Sequence, residues 1–157
     1  ALARLPDVHL LLVGTGEDES TYRQMSERLG VRDRVEWLPA VNERRVPLAL
    51  RLMDAFVLAS RRVSLWQEQL GRAALEAMAT GIPVIGARSG AIPEVLGDAG
   101  LLFEENSYTS LVERITWLKN NPQERTRLGA LGRQRVLEQF TWERFAKRLA
   151  EFYRTLL

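Results

Sequence analysis

The chain has 157 residues, 46% of them hydrophobic and 27% charged, with a formal net charge of +2; it reads as one globular domain large enough to bury a core unaided. Its 22 basic residues are scattered along the whole length, which excludes the clustered basic stripe of a nucleic-acid binder. There is no cysteine, so disulfide frameworks, thiolate metal sites and cysteine nucleophiles are excluded, and a cytoplasmic location is expected.

Val8 to Val13 predicts a parallel strand buried on both faces, ending at Gly14-Thr15-Gly16. A helix is predicted from Asp18 to Leu29, closed by Gly30. Arg34 to Leu38 is a second strand, and Pro47 to Met53 a short helix with its proline near the first turn. Ala55 to Ala59 is a third strand, followed by a loop from Ser60 to Glu68 and a helix from Leu70 to Ala79 that stops at Gly81. Pro83 to Gly86 is a fourth strand, Ile92 to Leu96 a turn or two of helix, and Gly100 to Phe103 a short last strand. The remainder is helical in three pieces, 107–120, 122–139 and 141–157, the last with a capped start at Thr141. Alternating strands and helices of this kind predict an α/β fold, a Rossmann-like parallel sheet flanked by helices, with C-terminal helices added. No repeat or linker divides the chain. No run approaches the roughly 18 apolar residues of a membrane span, and no secretory signal is visible.

The most informative stretch runs from Trp66 to Glu94 and reads WQEQLGRAALEAMATGIPVIGARSGAIPE. Glu68 lies just before the predicted helix and Glu76 inside it. Eight helical residues rise about 12 Å, a span that suits the two ends of a nucleotide-diphosphate sugar. Gly71 sits at the helix start, where free N–H groups and the positive end of the dipole attract phosphate. An ionised carboxylate can accept both hydroxyls of a sugar or ribose diol, at about 1.5–3 kcal/mol per charged hydrogen bond. Each glutamate alone has an ordinary explanation, one serving the helix dipole and the other a solvated face. The order of acid, glycine, acid and then Gly81-Ile82-Pro83-Val84-Ile85 favours the functional one.

That stretch resembles the Glu-x7-Glu signature of the retaining glycosyltransferases of group 1, or family 4. The match is carried by Glu68, Leu70, Gly71, Glu76, Ala77, Met78, Ala79, Gly81, Pro83, Val84 and Ile85, and continues through Gly90, Ile92, Pro93, Glu94 and Gly97 to Gly100. Val13-Gly14-x-Gly16, Arg34-Val35, Asp54 to Ser60 and Phe140-Thr141-Trp142 extend it over nearly the whole chain. The resemblance implies the C-terminal, donor-binding domain of a GT-B fold. It implies that Glu68 holds sugar hydroxyls and helps place the anomeric carbon, while the N–H groups of Leu70 and Gly71 meet the sugar or phosphate. Glu76 would hold the ribose, Gly14 and Gly16 would let the first loop approach the nucleotide, and Val41 would lie against the base. The implied substrate is a UDP-, GDP- or ADP-linked sugar, with no cofactor and no metal ion.

Some positions depart from the family pattern. Leu70 stands where Phe is commonest, Ala59 where Pro is common, and Ala91 where a second Gly is frequent. The family's Arg/Lys segment, which neutralises the diphosphate, and its N-terminal acceptor domain have no counterpart in 1–157. The resemblance therefore implies a fragment lacking its first strand and acceptor domain, inactive alone, and peripheral at the membrane at most in the full-length protein. The alternatives are a non-catalytic nucleotide-binding or regulatory module, and another GT-B enzyme such as a nucleotide-sugar epimerase, which would lean on His and Asp residues that this text lacks. A receiver-type domain would need clustered acids at the first strand's end, which Val13-Gly14 does not supply. His9 reads as a core or strand-end residue, and Trp37, Trp117, Trp142 and Phe152 as packing residues. The mixed Arg and Glu of the last helices read as a solvated face.

Overall fold

A computed structural model describes residues 1–64 and 66–156. Two parallel ladders organise it. In the first, β1 (Leu10–Val13) pairs with β2 (Val35–Leu38), Leu10 opposite Val35 and Val13 opposite Leu38. In the second, β4 (Val84–Ala87) lies between β3 (Phe56–Leu58) and β5 (Leu101–Phe103). Parallel neighbours need crossovers, and helices supply them. α1 (Glu19–Arg28) joins β1 to β2, and α2 (Val46–Leu50), with Pro47 in its first turn, leads to β3. α3 (Arg72–Ala79) joins β3 to β4, and α4 (Ile92–Leu96) joins β4 to β5. Three longer helices follow: α5 (Tyr108–Asn120), α6 (Pro122–Gln139) and α7 (Trp142–Arg154). The expected α/β architecture is present, with most boundaries within two residues of the sequence reading. Leu157 of the last predicted helix and Leu65 of the predicted loop lie outside the described residues. No described helix is long and apolar enough to cross a bilayer.

The core belongs to the second sheet. All four residues of β4 are buried, because β3 and β5 cover its edges while α3 and α4 pack nearby. Met78, Ile85, Ile92, Leu96 and Val84 are the largest side chains sealed from solvent. α6 closes this layer through small residues. A Cβ at Gly129 would overlap the carbonyl oxygen of Gly81, so the helix reaches the turn after α3 only because position 129 has no side chain. Arg135 ties the same helix to α4, donating to the carbonyls of Val95 and Glu94 at 2.8 Å each.

The first sheet differs from the sequence expectation. β1 is not buried on both faces: Leu10 is exposed and Leu11 to Val13 are half-buried. Among the described residues its one ladder partner is β2, so the period of its residues describes a central strand that here has one neighbour. It also begins two residues later than expected, leaving His9 exposed just before the strand rather than inside the core. Arg34 holds this lobe together, donating to the carbonyls of Leu5 (2.6 Å), Val8 (2.8 Å) and Leu2 (3.2 Å). The Arg23 guanidinium lies 4.5 Å from the ring centroid of Trp37, which fits the packing role expected of that residue.

α7 is a second correction. Its N-terminus is capped as expected: the Thr141 hydroxyl accepts from the Arg144 N–H at 3.3 Å. The carboxyl of Glu143 sits below the usual carboxylate range because its own backbone N–H, and then the Thr141 hydroxyl, bind it. The aromatic residues of the helix do not pack into the core. Trp142 is 83% exposed and Phe152 58% exposed. With Phe145 and Leu149 they form one apolar stripe at helical spacing that no described residue buries. Trp117, 38% exposed, is mostly covered.

Candidate functional site

Each residue that the sequence singled out follows the C-terminal end of a parallel strand, the end at which open α/β sheets bind ligands. Gly14 and Gly16 follow β1, and a Cβ at either would meet nothing within 4 Å. The Gly14 N–H donates to the carbonyl of Leu38 at 3.0 Å, which fixes the start of that loop against the end of β2. Val41, half-buried, follows β2 and precedes a turn capped by Asn42, whose side chain accepts from the Arg45 N–H.

Glu68 stands where the loop after β3 turns into α3. Gly71 adopts the left-handed conformation, φ 63° and ψ 44°, which glycine enters without the Cβ penalty of other residues. That bend aims the Gly71 N–H back at Glu68, whose Oε1 accepts it at 2.9 Å. Glu68 Oε2 accepts from the Ser60 hydroxyl at 3.1 Å. The expected anion site at the helix start is therefore occupied in part by the protein's own carboxylate. The helix itself begins at Arg72, so only the second half of the Glu68 to Glu76 interval is helical and the full 12 Å rise does not apply. A carboxylate offers about four lone-pair directions, and two are used here. The remaining ones are free to accept hydroxyl donors.

Glu76 is half-buried one turn into α3, and its Oε1 accepts from Arg72 Nε at 3.1 Å. Arg72 also reaches Glu43, in the turn after β2, at 3.2 Å. These pairs link the loop carrying Val41 to the helix carrying Glu76. The Arg72 guanidinium is held further above its already high range, first by the hydrogen bond it donates to Glu76 and then by the one it donates to Glu43. The Leu70 side chain is 51% exposed.

Three participants were missed or undervalued in the sequence. Arg72 was readable only as a generic i,i+4 partner of Glu76. Ser60 was readable only as the end of the Asp54 to Ser60 pattern, with no role attached. Gly90 was noted only as part of a pattern, yet its φ of 53° and a close approach to the Glu68 backbone make it structural to the site. One polar atom nearby is unpaired among the described residues: the buried hydroxyl of Ser89. A hollow of ≈ 180 Å³ lies elsewhere, between α6 and the turn after α4, and is lined by Asp98, Leu131 and Arg135 among others.

The profile of the family described as "Glycosyl transferases group 1" matches residues 1–135. The chain belongs to the group 1 glycosyl transferases. Among its relatives in this family, a GDP-mannose-dependent monoacylated alpha-(1-6)-phosphatidylinositol monomannoside mannosyltransferase of Corynebacterium glutamicum is 35% identical over 155 residues, covering 94% of this chain and 39% of that protein. Among solved structures, sucrose-phosphate synthase from Thermosynechococcus elongatus superposes with a TM-score of 0.85 at 27% identity, covering 99% of this chain and 40% of that one. Anabaena HepE in complex with UDP superposes with a TM-score of 0.86 at 23% identity, covering 98% and 43%. The α/β fold is thus that of the GT-B glycosyltransferases. This chain spans about two fifths of the length of the relatives it matches.

Proposed function

We propose that this chain is the donor-binding domain of a retaining glycosyltransferase that moves a sugar from a nucleotide diphosphate to an acceptor hydroxyl. The observation that carries the reading is the Glu68 carboxylate, anchored by two donors at the end of β3 and the start of α3 with acceptor capacity to spare. A group so fixed suits the hydroxyls of a sugar. Glu76, one turn into the helix, is assigned to the ribose, and Gly14, Gly16 and Val41 to the nucleotide. The N–H groups of Leu70 and Gly71 are assigned to the sugar or phosphate, the latter after exchange with Glu68. Relatives support a nucleotide-sugar ligand. One is named as GDP-mannose-dependent, and HepE has been solved with UDP-glucose.

Domain organisation is part of the same reading. The two all-parallel ladders share no strand, and both β1 and β3 present half-buried apolar residues along an unpaired edge. A further parallel strand supplied by the rest of the full-length protein would join them into one sheet. Transfer itself is assigned to that full-length protein, with the acceptor bound by its other domain.

The test is substitution at Glu76. Glu76→Ala is expected to weaken nucleotide binding at least tenfold, about 1.4 kcal/mol, in calorimetric titrations with UDP, GDP and ADP. The fold should survive, because Glu76 is half-buried and its one partner, Arg72, is largely exposed. An affinity unchanged from wild type removes Glu76 from the ribose role.

A further inference from the structure

Glu68 does not hold itself in place. It ends a loop that begins at Ser60, and the backbone on either side of its side chain is pinned by residues from two paired strands. Ser60 extends β3 and Gly90 extends β4, and these strands run in register with Leu58 opposite Gly86. The Ala91 N–H donates to the Glu68 carbonyl at 2.9 Å. A Cβ at Gly90 would overlap that same carbonyl oxygen and would lie 3.1 Å from the Glu68 nitrogen, so the approach needs glycine. The backbone of Glu68 is thereby fixed against the end of β4. Its carboxylate still has rotamers to choose from, and a solvated glutamate samples several. The Ser60 hydroxyl, 3.1 Å from Oε2, selects one, while the Gly71 N–H binds the other oxygen at 2.9 Å.

We propose that Ser60 is a positioning residue that sets the orientation of the Glu68 carboxylate for the donated sugar. The proposal rests on the reading of Glu68 as the ligand of that sugar. It makes Ser60 matter to the sugar and not to the nucleotide. A hydroxyl suits the task because it donates to Oε2 without carrying a charge of its own, so the carboxylate keeps its full charge for the ligand. A misoriented acceptor costs rate as well as affinity, since productive geometry is narrow.

The experiment is a cycle in the full-length protein: wild type, Ser60→Ala, Ser60→Thr, Glu68→Ala, and Ser60→Ala combined with Glu68→Ala. Calorimetry compares UDP-glucose with UDP, GDP-mannose with GDP and ADP-glucose with ADP, and reads the preference for the sugar-bearing ligand. Ser60→Ala is expected to reduce that preference about tenfold, while the affinity for the bare nucleotide stays within about twofold. Ser60→Thr, which keeps the hydroxyl, should restore it. In the Glu68→Ala background, removing the Ser60 hydroxyl should change nothing further. A full preference in Ser60→Ala, alongside a preference lost in Glu68→Ala, overturns the role of Ser60 and leaves that of Glu68 standing. A preference that survives Glu68→Ala, or that the wild type lacks for every pair, overturns both. A loss in Ser60→Ala that persists undiminished without Glu68 shows that the hydroxyl acts on something else and also sinks the proposal.

Discussion

On the proposed role of Glu68 as ligand of the donated sugar, Glu68→Gln is expected to lower kcat/KM for the donor in the full-length protein roughly 30- to 150-fold, with nucleotide affinity little changed. The side chain keeps its size, so the loop has no reason to move. What changes is the set of donors and acceptors. Two groups already point at the carboxylate as donors, the Gly71 N–H and the Ser60 hydroxyl. An amide has only one acceptor oxygen, and its NH2 would face one of these donors. The sugar hydroxyls would meet a neutral group with less acceptor capacity. Hydrogen bonds to a charged group are worth about 1.5–3 kcal/mol and neutral ones about 0.5–1.5. Weakening two of them loses about 2–3 kcal/mol, or roughly 30- to 150-fold. Steady-state kinetics would show the loss in kcat/KM for the donor, and a value within about threefold of wild type would exclude a role for the carboxylate.

Leu96→Ala should destabilise the domain by about 3–4 kcal/mol. Leu96 is wholly buried at the end of α4. Its Cδ1 lies 2.7 Å from where a Cβ on Gly86 would be and 3.0 Å from where one on Gly100 would be. The side chain thus fills the space that two glycines leave beside β4 and β5. Truncation would open a cavity in the most tightly covered part of the molecule, and neither glycine has a side chain that could move to fill it. At about 2–4 °C per kcal/mol for a domain of this size, the midpoint of thermal unfolding should fall by roughly 10 °C. Leu52→Ala is the control, since that side chain is 73% exposed and such changes stay within about 0.5 kcal/mol.

Local features of this fold could be read from the sequence because they depend on local chemistry. Ile92 to Leu96 was identified with its observed bounds, and the Thr141 cap and the helix end at Gly30 were placed correctly, since each rests on a few neighbouring residues. The alternation of strand and helix sufficed for the fold class. Pairing is another matter. The apolar run ending at Val13 looks the same whether it has one neighbour or two, so the exposure of Leu10 could not be foreseen. Trp142 shows the same limit, because an aromatic stripe at helical spacing says nothing about what packs on it. At the candidate site, the motif named Glu68 and Glu76, but the contact between Ser60 and Glu68 spans an irregular loop with no period to reveal it. The close approach of Gly90 to Glu68 depends on how two strand ends meet in space.

The unequal burial of the two sheets has a consequence for how the domain opens. The continuous apolar cluster draws its buried members only from Leu50 to Leu128, and no ladder hydrogen bond joins the first sheet to the second. Cooperative unfolding units follow such divisions. In the 157-residue chain by itself, without the further strand proposed to join the two sheets, amide hydrogens of β1 and β2 can therefore exchange with solvent through an opening that leaves β4 intact. Gly14, Gly16 and Val41 all lie on the part that opens first. A ligand that requires them closed would stabilise that lobe by mass action, and the chain would gain protection there before it gained any in its core.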